Sequence, residues 1–150
     1  MTAEPPVTAE PPVTAEPPDD HYAALRARSR AGWEMVMQTP QEGLDGAPGS
    51  YPDLSNAILM GDIWQRPHLS VRERRLVVLT LLAAYGRPEP MAYHLRGALR
   101  SGDLDEAALD ELVVQIAFYG GWPMSSTLHA AIRDALADPT NRPGGGDEEP

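Results

Sequence analysis

The 150 residues contain no cysteine and no lysine, and only one phenylalanine. Without a thiol there can be no disulfide framework, no thiolate metal ligand and no cysteine nucleophile. Without a lysine amine there is no Schiff-base chemistry on that group. No apolar run approaches the roughly 18 to 20 residues needed to cross a bilayer. The start of the chain is acidic and proline-rich, unlike a secretory signal. A cytoplasmic protein without membrane contact is the expectation.

Charge is present mainly at the ends. Of the net -10, residues 1–20 supply five acids and no base, and residues 138–150 supply four acids and one arginine. The remaining segment carries 13 acids against 11 arginines and is close to neutral. It therefore has no basic footprint for nucleic acid. Residues 2–18 are three copies of one hexamer, Thr-Ala-Glu-Pro-Pro-Val, the last ending at Pro18 with Asp19 in place of valine. Paired prolines block helix and remove amide donors, so this is expected to be a solvated spacer. The domain plan is a repeat tail over 1–19, a helical domain over 20–138 and an acidic tail over 139–150.

The middle reads as all-α, a bundle of about six helices. An Asp19 or Asp20 cap opens the first, which runs to about Gln38. The glycine- and proline-rich stretch 39–49 is a loop. A second helical stretch covers 51–64. Ser70 and Glu73 form a capping box that opens a third helix reaching about Tyr85. Residues 76–84 are apolar nearly all round, which predicts a helix at the bundle centre. Pro88 or Pro90 starts a fourth helix ending near Gly102. Asp105 caps a fifth that reaches Tyr119, and Pro123 opens a sixth that fades by Pro139.

Several side chains could carry chemistry. His94 shares a helix face with Met91, Leu95 and Ala98 and should point inward. His129 follows Ser125 by one helical turn, and Glu111 precedes Gln115 by one. Arg74 opens the most apolar helix, where it could hold a ligand carboxylate or pair with Glu73, Asp62 or Glu111. Arg96 lies two residues past His94, on another face. The four histidines show no spacing that converges on a metal, so no metal site is expected. Ser125 and His129 lack the sharp turn of a nucleophile elbow, which argues against serine catalysis.

Three phrases together resemble the carboxymuconolactone decarboxylase family, within the alkylhydroperoxidase D-like superfamily. The first is Gly61-Asp62-Ile63-Trp64-Gln65-Arg66-Pro67-His68-Leu69, followed by Arg74 and the apolar helix. The second is His94-Leu95-Arg96-Gly97-Ala98-Leu99 with Gly102. The third runs from Glu111 through Tyr119, Gly120, Gly121, Trp122 and Pro123, closed by His129. They span roughly residues 50–137 in the family's order. The resemblance implies a compact all-α fold, assembly into homotrimers or homohexamers, active sites near subunit boundaries and no cofactor. The superfamily's thiol peroxidases use a CxxC pair followed by histidine. Here the equivalent stretch is Trp122-Pro123-Met124-Ser125 and then His129, which has no sulfur at either redox position.

By resemblance, the activity is removal of CO2 from a carboxylated unsaturated lactone, as in the β-ketoadipate branch of aromatic catabolism. Loss of CO2 leaves electrons that the lactone carbonyl takes up as a dienolate. The protein must stabilise that oxyanion and return a proton to carbon. The roles carried over are catalytic for His94, His129 and Glu111, and substrate-binding for Arg74, Trp64, Tyr119, Trp122 and Ser125. The wholly apolar Ala57-Ile58-Leu59-Met60 stretch and the bulky Trp122 point to a pocket more apolar than a small polyacid requires. That leaves two alternatives: a secondary-metabolism tailoring enzyme for a larger apolar intermediate, or a non-catalytic oligomeric binding protein.

Overall fold

A computed structural model describes residues 20–41 and 46–143; the hexamer repeats, the expected cap residue Asp19 and the final acidic residues lie outside the described ones. Six α-helices follow in order: α1 Asp20–Met37, α2 Tyr51–Ser55, α3 Val71–Ala84, α4 Pro88–Ser101, α5 Glu106–Gly120 and α6 Trp122–Ala137. Among the described residues there is no strand, and no helix is long and apolar enough to cross a membrane. The all-α expectation is met.

Local chemistry accounts for the helix starts. At α3, the Ser70 hydroxyl accepts from the Glu73 amide, while the Glu73 carboxylate accepts from the Ser70 amide at 2.7 Å. At α5, the Asp105 carboxylate accepts from the Ala108 amide at 2.8 Å. Prolines occupy the first turns of α2, α4 and α6, where their missing donors would have no helical partner anyway.

The stretch 51–64 is not one helix. After the single turn of α2 the backbone widens into a π-turn, Asn56–Met60, and then closes into a 3-10 turn, Ile63–Gln65. The Gly61 amide donates back to Asn56 at 3.2 Å, five residues earlier. A close backbone approach to α1 accompanies the change. A Cβ on Gly61 would collide with the Leu25 carbonyl, and one on Gly32 would collide with the Met60 carbonyl. Two glycines thus let α1 and the π-turn meet nearly backbone to backbone.

Two apolar clusters result, with α4 contributing to one and bordering the other. The larger contains Leu79, Met91, Leu95, Leu109, Leu128 and Ile132 from α3 to α6. The smaller contains Val36, Met37, Met60 and Trp64, with Trp33, Val71 and Val78 packed on it. Helix α3 is not central. It is buried along one line, Arg75, Leu79 and Ala83, at i, i+4 and i+8, while Val77 and Leu81 remain about half exposed. The helical body also extends past residue 138. A 3-10 turn, Pro139–Asn141, packs back, with the buried Asn141 amide donating to the Ala135 carbonyl and the Arg100 guanidinium donating to that of Thr140.

Candidate active site

His94 stands on α4 against the smaller cluster, and its ring stacks on that of Trp64 with centroids 5.6 Å apart and planes 20° apart. The capped start of α3 and the 3-10 turn set this geometry, since one brings Arg75 and the other brings Trp64 to the same turn of α4. The His94 Nδ1 atom is buried and has no hydrogen-bond partner, and Trp33 Nε1 on the same cluster shares that condition. Buried polar atoms are almost always paired, so this imidazole nitrogen keeps a hydrogen-bonding capacity that no described residue takes up.

The ring's electrostatics follow from its surroundings. Burial pushes the His94 pKa down from 6.5 to about 4, and the positive charge of Arg75 pushes it the same way. At neutral pH the imidazole is therefore uncharged, with one nitrogen donating and the other accepting. This departs from an ordinary imidazole, which changes charge close to neutrality.

Arg75, which sequence reasoning passed over in favour of its neighbour, is the most deeply placed charge. Its side chain is 0% exposed. Nε donates to the Asp103 carboxylate at 2.9 Å, Nη1 to the His94 carbonyl at 3.4 Å, and Nη2 to the Val36 carbonyl. Burial draws the guanidinium below its usual range and Asp103 opposes this. A Cβ on Gly97 would lie 2.8 Å from Nη1 and collide with the Val36 carbonyl, so the glycine leaves room for the buried group. A glycine inside α4 was the one visible signal of this arrangement.

The other expected residues divide between settings. Trp64 is buried beneath His94. Arg74 is half-buried, and its guanidinium donates to the carbonyls of Leu69 at 3.2 Å and Arg66 at 2.9 Å rather than to a carboxylate. Ser125 is buried, its hydroxyl donating to the Trp122 carbonyl at 3.1 Å. Glu111 and His129 are exposed on α5 and α6. Tyr119 and Trp122 are exposed at 87% and 71%, at the turn joining those helices. The chain thus joins His94, Trp64 and Arg75 in one place and presents Glu111, Tyr119, Trp122 and His129 on open surface.

Comparison with known proteins adds a direct match. The carboxymuconolactone decarboxylase family matches residues 50–134, a span holding every candidate residue named above. The 4-carboxymuconolactone decarboxylase of Acinetobacter baylyi is 28% identical over 114 residues, covering 76% of this chain and 84% of that protein. Both findings support decarboxylase-like chemistry at the coarse level of a carbon–carbon lyase.

Proposed function

The chain belongs to the carboxymuconolactone decarboxylase family, and from that membership we propose that it is a cofactor-independent decarboxylase of a carboxylated unsaturated lactone. The observation that carries the reading is His94: within the matched span, it is a neutral imidazole stacked on Trp64 with a buried nitrogen left unpaired.

The reaction breaks the bond between a ring carbon and its carboxylate. The electron pair passes into the lactone carbonyl, CO2 leaves, and a proton returns to carbon. A neutral imidazole suits the first half, because its N–H can donate to the developing oxyanion without first gaining a proton. Arg74 has guanidinium donors directed at two carbonyls of the preceding loop, and it is assigned the substrate carboxylate as a charge-assisted partner. Trp64, Tyr119, Trp122 and Ser125 are assigned to the walls. Glu111 and His129 are assigned proton delivery. They stand on the same protomer's exposed surface, and a second copy laid over α3 and α5 would enclose them. That is the reason a homotrimer or homohexamer belongs to this proposal.

The test is turnover of freshly generated gamma-carboxymuconolactone, followed by CO2 release and enol-lactone formation. His94→Gln should lower kcat by roughly 10² to 10³-fold, the usual loss for one oxyanion donor. Wild-type-like turnover by that variant would remove His94 from the mechanism.

A tailoring role on a larger apolar intermediate is the second reading. It is favoured by an open groove of about 570 Å³ lined by Tyr51, Leu54, Ser55, Ile58, Leu59 and Ile63. No turnover of the small lactone by folded protein, with turnover of an apolar lactone acid, would select it.

A further inference from the structure

We propose that Arg75 is a positioning residue for His94: its buried guanidinium anchors the α4 turn that carries the imidazole and holds a fixed positive charge close to that turn. This deepens the decarboxylase reading and rests on His94 being the group that meets substrate.

The geometry has three parts. Arg75 reaches three separate segments, the end of α1 at Val36, the middle of α4 at His94 and the loop after α4 at Asp103. A side chain that only filled space would not need three donors aimed at carbonyl and carboxylate oxygens, and leucine would fill much the same space without the desolvation cost of a buried charge. Second, Gly97 lies one turn after the His94 region on α4, and the side-chain space a larger residue would occupy is taken by the Arg75 guanidinium. Third, the counter-ion is off-centre. Asp103 binds Nε at 2.9 Å from the loop and is a quarter exposed, while Nη1 is the group turned toward His94. The carboxylate thus engages the Nε side of the guanidinium, while Nη1 engages the backbone of the residue that carries the imidazole.

The 3-10 turn contributes the Trp64 ring, α1 contributes the Val36 carbonyl and the apolar cluster, and Arg75 from α3 is the charged side chain that acts on the imidazole. A carboxylate in that place would favour imidazolium; an arginine favours the free base. The consequence is a donor that stays in one protonation state across the whole neutral range.

The test is an NMR titration of the histidine rings in the full-length chain, with His94 assigned by its loss in His94→Gln. Arg75→Gln should raise the proton affinity of His94 by about threefold or more. Asp103→Asn, which removes the counter-ion and leaves the arginine, should lower it or leave it at the wild-type value. The opposite responses separate a charge effect from simple loosening, which would admit water and raise the affinity in both. An unchanged His94 in folded Arg75→Gln, or a rise in both variants, overturns the proposal. If Arg75→Gln does not fold, Asp103→Asn decides alone, since a rise there is the result the proposal forbids. These readouts require no substrate. They stand even if His94→Gln leaves turnover intact, in which case the catalytic reading fails and the electrostatic one survives.

Discussion

At the scale of single residues, the chemistry of the site reduces to which member of an arginine pair is buried. Arg74 and Arg75 are adjacent, and a step of one residue on a helix turns the side chain by about 100°. That step separates a half-buried group on two loop carbonyls from a fully enclosed one on Asp103. Sequence pattern named His94 and Trp64 but chose Arg74, because an arginine beside an apolar run reads as surface and nothing along the chain shows which loop carboxylate returns to meet it. His94 itself makes a measurable mark on stability. Its folded pKa of about 4 lies below the ordinary 6.5. Between those values the unfolded chain takes up a proton that the folded one refuses. The stabilisation is complete above about pH 6.5 and is lost as pH falls toward 4, with a total on the order of 3 kcal/mol. Urea midpoints measured from pH 7 to pH 4 should fall in wild type. His94→Gln should lack most of that slope, and an equal slope in both would show that the folded ring titrates normally.

At the scale of elements, end signals were legible and depth was not. Ser70 with Glu73, Asp105, and the prolines of α4 and α6 each mark a helix start that the structure keeps. These signals are local, because a cap requires only its own next three residues. The π-turn at Asn56–Met60 was not legible, since it depends on Gly32 of α1 arriving beside Gly61. Nor was the tie that holds α2 to α1. Arg26 pairs in a bidentate manner with Asp53 at 2.6 Å, and the Gly49 amide adds a third bond; together these hold the Asp53 carboxyl at about 2. The α3 cap offers a clean check on the local rule. Ser70→Ala removes the acceptor for the Glu73 amide and leaves the apolar clusters untouched. It should cost about 1 kcal/mol in chemical denaturation, with the slope against denaturant unchanged. A cost under a few tenths would mean that tertiary packing alone holds the start of α3.

For the whole molecule, the apolar surface left on α3 and α5 is the feature that one protomer does not explain. Val77, Leu81 and Tyr85 recur at i, i+4 and i+8 along α3, and Val114 and Phe118 recur along α5, which packs beside it. Tyr119 and Trp122 continue the surface, and Phe118 is 79% exposed. An all-round apolar α3 predicted a central helix; the single chain leaves one side of it open, and the proposed assembly would cover that side with another copy. Charge favours that occupant. The -10 net charge is concentrated in the terminal segments, -5 over 1–20 and -3 over 138–150, so two copies of the proposed assembly would bring together middle segments of only -2 each. Phe118→Asp should therefore reduce the mass in sedimentation or light scattering toward the 16.3 kDa of one chain. Because the side chain touches little within its own protomer, the same change should leave helicity unaltered and monomer stability within about 0.5 kcal/mol. Activity should fall with the mass, because Glu111 and His129 lose their cover, while the His94 ring titration stays where it was. A variant that keeps the full assembly would move the interface off this face. One that dissociates yet keeps full turnover would show that a single protomer completes the site.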